Sequence, residues 1–281
     1  MKQYRLPYFD YLFSELDKQN PSIEKSFGRH VHWGFWDDPE NALCDDEDYA
    51  RAAEQLTLEL CQLAGIAEGE RVLDVGCGFG GTLASLNERF SRLQLTGLNI
   101  DARQLARARR LVRALRGNAV QFCQGDACRL PFRDESLDRL LAVECVFHFP
   151  SRETFFREAN RVLRPGGVLV LSDFVPTRLF LPINWLVTRD WFEKYNAFGR
   201  CKLEYTIEKY RRLAVQTGLR SVAERNITRQ TLPTYRYFAQ MLARHGSIGW
   251  LGRIAVSLIR LQRLFAGYGL ANYYLLSFKK P

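Results

Sequence analysis

Val72-Leu73-Asp74-Val75-Gly76-Cys77-Gly78-Phe79-Gly80-Gly81 is a short apolar run that breaks into glycines, and the helical pattern GTLASLNERF begins directly from it. A buried strand, a tight loop and a helix in that order are the first half of a βαβ unit, and the chain continues the alternation outward. Downstream, LQLTGLNI (93–100) reads as a strand, 102–116 as a helix, AVQFCQ (119–124) and SLDRLLAVE (136–144) as strands, 152–163 as a helix and GGVLVLSDF (166–174) as a strand. Upstream, 48–64 places its apolar residues at helical spacing and Gly65 closes it. Beyond Phe174, 176–217 reads as helical and rich in aromatics, 218–227 as a strand, 231–266 as helical and 273–280 as a last strand. The expected fold is α/β, a doubly wound, mostly parallel seven-stranded sheet with a helical N-terminal arm and helical lid insertions. We expect one domain over 1–281: an arm (1–66), a core (67–175), a helical insertion (176–217) and the last strands (218–281) carrying a second insertion (231–266). Ligands of such sheets sit at the carboxyl ends of the strands, where the glycine stretch lies.

With 47% hydrophobic and 25% charged residues, the 281-residue chain can fill a globular core and is neither disordered nor collagen-like. Its 40 Lys and Arg exceed 31 Asp and Glu, and the excess lies late. No acid follows Glu224, whereas nine bases do, so residues 1–224 are neutral overall. Such a C-terminal field attracts nucleic acid, an anionic membrane surface or an acidic substrate. Seven cysteines without CxxC or Cys/His zinc spacing predict free thiols in a reducing, cytoplasmic compartment. MKQYRLPYFDYLFSELDK breaks each apolar run with a charge, unlike a secretory signal, and no run approaches the ~20 residues of a membrane span.

Gly76, Gly78 and Gly81 meet the G-x-G-x-x-G spacing of dinucleotide loops. Two residues point away from NAD. Asp74 would crowd a pyrophosphate with like charge but suits a ligand carrying an ammonium and a sulfonium, and Asn99 stands where NAD enzymes keep a ribose-binding acid. Over roughly 30–175 the ordered motifs resemble the class I S-adenosylmethionine-dependent methyltransferases, of the small-molecule type seen in tocopherol, sterol and natural-product methylation. VLDVGCGFGG looks like the first motif of that family, TGLNID the second, and QGDACRLPFRDESLDRLLAVECVFHF with RVLRPGGVLVLSDF the later blocks. The resemblance implies a Rossmann-like fold and S-adenosyl-L-methionine as co-substrate, with no metal. It implies that the backbone of Gly76, Gly78 and Gly80 approaches the methionine part and that Asp74 places its amino end. Asn99 with Gln104 would take the ribose, Ile100 would be a further contact, and Asp126 would accept from the adenine amine with Ala127 flanking the ring. Each residue also has a plain structural reading: Asp74 as a strand-end acid, Asn99 as a turn former, Asp126 as a loop cap and Gln104 as a solvated helix residue.

Methyl transfer is an in-line displacement at a sulfonium carbon, so the protein aligns the nucleophile and excludes water. An oxygen acceptor must still lose its proton. His148, just past the fourth strand in Glu144-Cys145-Val146-Phe147-His148-Phe149, is the candidate base, with support of the strand end as its other reading. Glu144 would orient the acceptor or take a proton after carbon methylation, or else form a salt bridge at the strand tip. Cyclopropane synthases usually carry Glu directly before this His; Phe147 stands there, which counts against cyclopropanation. His30-Val31-His32-Trp33-Gly34-Phe35-Trp36 resembles the HyGxW segment of tocopherol and sterol methyltransferases, which implies Trp33 folded over the cationic cofactor, or else packed on the sheet. His30 and His32 have no third metal ligand beside them.

Trp185, Trp191, Phe192, Tyr195 and Phe198 give 176–217 the character of a hydrophobic acceptor pocket. In 250–265, Arg253, Ser257, Arg260 and Arg263 form a narrow polar stripe on an apolar helix, either a peripheral membrane contact or a lid with a solvated edge. The expected activity is S-adenosylmethionine-dependent methylation of a hydrophobic small molecule, namely a phenol or quinone precursor, a sterol or terpenoid, or a polyketide-like product. The expected enzyme is a monomer or homodimer that binds no nucleic acid. The alternatives are an RNA or protein methyltransferase using the basic tail, and a non-catalytic protein of the same fold at a membrane surface.

Overall fold

The computed structural model describes residues 6–182, 201–245 and 250–281. Two arm helices, α1 (Pro7–Asp17) and α2 (Pro21–Phe27), lead through a loop to α3 (Asp46–Ala64), which Asp45 caps and Gly65 ends in a left-handed conformation. Then follow β1 (Arg71–Val75), α4 (Gly81–Arg89), β2 (Gln94–Asn99), α5 (Ala102–Leu111), β3 (Ala119–Gln124), β4 (Leu137–Val143), α6 (Arg152–Val162) and β5 (Leu163–Pro176). The chain continues with α7 (Ile207–Gln216), β6 (Arg220–Asn226), α8 (Thr228–His245), α9 (Trp250–Gly267) and β7 (Ala271–Lys279).

The seven strands form one sheet in the order β3-β2-β1-β4-β5-β7-β6. All neighbours are parallel except β7, which runs antiparallel to both β5 and β6. This is the doubly wound, Rossmann-like fold expected from the alternation. The period-two logic is visible in β1, whose residues after Arg71 are all buried. Val72 joins Leu83 and Leu86 of α4 and Leu56 and Leu60 of α3 on one face. Leu73 and Val75 join Phe155 and Phe156 of α6 and Leu213 of α7 on the other. A third apolar cluster ties the arm to the body through Phe9, Leu12, Phe27, Tyr49, Phe79 and Tyr237. In it Tyr49 of α3 and Tyr237 of α8 stack with centroids 4.2 Å apart.

Three boundaries depart from expectation. The helix expected over 102–116 ends at Leu111, because the Asn87 side chain takes over the next backbone groups: its amide donates to Arg113 O at 2.7 Å and accepts from Leu115 N at 2.9 Å. Within 176–217, the described residues hold a 3-10 turn (Arg178–Phe180), a helical pair at 181–182 and α7, and Trp185, Trp191, Phe192, Tyr195 and Phe198 lie outside the described residues. The helical stretch 231–266 is two helices, α8 and α9, and α8 begins earlier because Asn226 Oδ1 accepts from Thr228 N at 3.0 Å.

Candidate active site

Beyond β1 the chain turns sharply. The N–H groups of Gly76 and Cys77 both donate to Leu98 O, at 2.7 and 3.1 Å, which pins the loop to the end of β2. Gly76 has φ +70°, and a Cβ there would lie 2.6 Å from Cys145 Cβ, so only glycine fits between β1 and β4. Gly78 has φ +52° and faces open space, so a ligand can approach its bare backbone. Gly80 is placed differently from the expectation: it heads α4 with its Cα toward Ala108, Val112 and Phe122, and it does not line the cavity. The neighbouring Gly81 opens α4 at the cavity edge, where the unpaired N–H groups of a helix start favour an anion.

The cavity beside this loop gathers Asp74, Gly76, Gly78, Asn99, Ile100, Gln104, Asp126, Ala127, Glu144 and His148, ten of the twelve residues singled out in the sequence. Asp74 is 1% exposed, its Oδ2 has no hydrogen-bond partner, and burial pushes its carboxyl up to about 8. A buried, unpartnered carboxyl oxygen is costly unless a cation or donor meets it. Asn99 and Gln104 are both buried and bonded to each other, Nδ2 to Oε1 at 2.8 Å, so the two amides form one polar wall. Asp126 is exposed to the cavity; its Oδ1 accepts from Cys128 N at 2.8 Å in a local turn, while Ile100 and Ala127 supply apolar surface near it. This set suits S-adenosylmethionine: a carboxyl for an ammonium, a helix start for a carboxylate, amides for a diol and apolar surfaces beside an acid for adenine.

The part of the cavity beside the Gly76 turn is built at the tip of β4, whose Cys145 lies against that glycine. Glu144 adopts φ +48°, a left-handed conformation that is uncommon outside glycine and asparagine. Its backbone N–H donates to Ser172 Oγ at 3.0 Å, and its Oε1 accepts from the Trp33 N–H at 2.8 Å and from the Tyr273 hydroxyl. Burial pushes the Glu144 carboxyl up to about 8, against the lowering effect of those two donors. Tyr8 of α1 lines the same cavity, and its hydroxyl is driven well above the ordinary range, first by burial and then by the charge of Glu144. His148 sits in a 3-10 turn after β4 with Nδ1 3.8 Å from Cys201 Sγ, and its ring packs on Phe147.

Trp33 is not a wall of this cavity. Its ring packs among Tyr235, Phe174 and Tyr273, with centroids 4.5, 4.9 and 5.9 Å away, and its backbone rather than its indole reaches the site. The loop around it is held by a buried chain of hydrogen bonds. His30 Nε2 lies 2.7 Å from Glu54 Oε2, His30 Nδ1 lies 3.1 Å from His32 Nε2, and His32 Nδ1 lies 2.9 Å from Trp33 O. A carbonyl only accepts, so His32 donates from Nδ1; burial lowers its pKa to about 3, which leaves Nε2 free to accept. Thus the two histidines, read as an isolated pair in the sequence, set the Trp33 peptide. Tyr8 and Tyr273 escaped the sequence reading because no local motif marks them; one comes from the first helix and the other from the last strand.

A family model described as a methyltransferase domain matches residues 73–171. The chain is 33% identical over 220 residues to the methyltransferase GfsG of Streptomyces halstedii, covering 78% of this chain and 76% of that one. It belongs to the S-adenosylmethionine-dependent methyltransferases. The methyltransferase is also 30% identical over 223 residues to the 27-O-demethylrifamycin SV methyltransferase of Amycolatopsis mediterranei, with the same coverage of each chain. Among solved structures it superposes with a TM-score of 0.72 on geranyl diphosphate C-methyltransferase from Streptomyces coelicolor, crystallised with Mg2+, geranyl diphosphate and S-adenosyl-L-homocysteine. That likeness, at 19% identity and 99% coverage of both chains, is one of fold.

Proposed function

We propose that this methyltransferase methylates a hydroxyl group of a hydrophobic natural product of the polyketide or terpenoid kind. The observation that carries the reading is Glu144: a carboxyl fixed by the Trp33 N–H and the Tyr273 hydroxyl, poised near 8, in the same cavity as the cofactor-suited residues. Bound S-adenosylmethionine supplies an activated methyl carbon on a positively charged sulfur. Asp74 receives the ammonium, the start of α4 the carboxylate, Asn99 with Gln104 the ribose, and Asp126 with Ile100 and Ala127 the adenine. As the acceptor oxygen takes the methyl group it gives up its proton, and a base whose pKa lies near the working pH speeds that step by roughly 10²–10⁴-fold. Glu144 and His148 are the two candidate bases that line the cavity. The name of one relative, the 27-O-demethylrifamycin SV methyltransferase, agrees with a hydroxyl acceptor.

A carbon acceptor is the second reading. Tyr8, Phe9 and Phe149 line the cavity with Glu144, where ring faces would stabilise a cation formed on an alkene and the carboxylate would then take its proton. RNA or protein methylation through the basic tail is less well supported. Arg225, Arg229, Arg244 and Lys280 pair with Glu59, Glu40, Asp46 and Glu135, so much of the tail charge is spent inside the fold.

The test is methyl transfer from labelled S-adenosylmethionine to a panel of hydroxylated and alkene-bearing polyketides and terpenoids, with Glu144→Gln and His148→Gln run in parallel. The reading expects transfer to oxygen, lost in at least one of the two variants while S-adenosylhomocysteine binding persists. Transfer to carbon would favour the second reading, and transfer to oxygen that survives both variants would remove both candidate bases.

A further inference from the structure

α9 carries an apolar face that no described residue covers. Leu258, Leu261 and Leu264 recur every third residue and are 53%, 45% and 52% exposed, and Tyr268 just beyond the helix is 78% exposed. Leu179, 77% exposed, extends the same face, because Phe180 beside it packs on Phe265 of α9 at 5.1 Å. Five of the twelve large exposed apolar side chains among the described residues therefore cluster here, and isolated exposed leucines are common whereas a contiguous group marks a contact surface. Arg260, beside this face, and Arg263, on the side of the helix toward Cys44, are both exposed, and neither has an ion-pair partner among the described residues. Three other tail arginines, Arg225, Arg229 and Arg244, are each paired with an acid of the body.

We propose that α9 is an interfacial helix that seats this methyltransferase on an anionic lipid bilayer, its leucines in the acyl boundary and Arg260 and Arg263 among the headgroups. Three observations select this occupant. The face combines apolar residues with unpaired cations and no acid, since none follows Glu224, which matches a negatively charged apolar surface. A two-fold contact of α9 with α9 of a second copy would bring the arginines of both helices into one interface with no acid from either helix to offset them. The helix is also placed at the working end of the sheet: Leu270 O accepts from Thr177 N at 3.0 Å, and Ala271 at the start of β7 pairs with Pro176 at the end of β5. No helix among the described residues is long and apolar enough to cross a membrane, so the contact is one of lying on the surface. The proposal holds whichever atom is methylated.

The experiment is flotation of the full chain with vesicles of phosphatidylcholine alone and of phosphatidylcholine with 30% phosphatidylglycerol, at low and high salt. The expected result is binding to the anionic vesicles, at least tenfold weaker on the neutral ones and reduced by salt. Leu261→Glu with Leu264→Glu should abolish vesicle binding, and Arg260→Glu with Arg263→Glu should abolish the preference for anionic lipid. S-adenosylhomocysteine binding by both variants confirms that they fold and is read separately from any activity. Failure of the native chain to float with anionic vesicles overturns the proposal, as does floating that survives the leucine variant. Concentration-dependent self-association that the leucine variant removes, without vesicle binding, would instead assign the face to a second copy.

Discussion

The backbone N–H of Trp33 donates to Oε1 of Glu144 at 2.8 Å, joining the arm loop to the tip of β4 across 111 residues of sequence. The hydroxyl of Tyr273 meets the same oxygen from β7. One carboxyl group therefore reads the position of three distant parts of the chain, and its behaviour reports on all of them.

Removing the Tyr273 donor should move Glu144 in a known direction. Burial raises the Glu144 pKa to about 8 and the tyrosine hydrogen bond lowers it, so Tyr273→Phe raises it further. If Glu144 is the base, kcat rises with pH as the carboxyl ionises, and in Tyr273→Phe that rise shifts to higher pH. A pH profile of kcat on native and variant enzyme checks this, and an unmoved profile would take Glu144 out of the proton transfer.

Asp74 should lose a proton when the cofactor binds. Its carboxyl is held up to about 8 by burial with no partner on Oδ2, and a cationic ligand favours the charged form. Between about 6.5 and 8, titration with S-adenosylmethionine in buffers of different ionisation enthalpy should show proton release, absent in Asp74→Asn. The same shifts set stability. Asp74 and Glu144 both bind protons more tightly folded than unfolded, so between about 6.5 and 8 the ligand-free enzyme should melt at lower temperature as pH rises. His32, pulled down to about 3, acts oppositely but only below its unfolded value near ~6.5.

Gly81→Ala should loosen the arm. A Cβ at this position would lie 2.5 Å from both Arg29 O and His30 Nδ1, and a clash against backbone cannot be relieved by a side-chain rotation. We expect a loss of about 1–3 kcal/mol, as for overpacking in a core, with faster proteolysis between α2 and α3. Gly65→Ala, at a helix end open to solvent, should leave that proteolysis unchanged.

Arg152 and Asp173 form a buried pair at 2.8 Å, both essentially unexposed, and Tyr210 bridges them by donating to Asp173 while accepting from Arg152 Nε. Arg152→Met strands the carboxylate and should cost about 3–5 kcal/mol in urea unfolding, whereas the double replacement Arg152→Met with Asp173→Leu should recover much of that loss.

The fold was legible wherever a signal is local. The apolar run of 71–75, the glycine loop and the alternation of periods follow from nearest-neighbour geometry, and they placed Asp74, Asn99, Gln104 and Asp126 around one cavity. What escaped the reading depends on partners far away in sequence. The end of α5 is decided by Asn87 capturing the backbone of Arg113 and Leu115, not by the residues of 102–116 themselves. Trp33 looked like a cofactor cover because its ring chemistry allows it, yet Phe174, Tyr235 and Tyr273 claim the ring and leave the peptide to face Glu144. The left-handed turn at Glu144 has no sequence mark at all, since its backbone is held by Ser172 of the neighbouring strand.

β7 lies between β5 and β6 although it follows both in the chain, and it runs antiparallel to each. During synthesis on the ribosome, β1 to β5 and the glycine loop therefore emerge while a slot in the sheet is still vacant. Only when β7 fills it does Tyr273 arrive beside Glu144, so the donor that sets this carboxyl is among the last parts of the chain to be made.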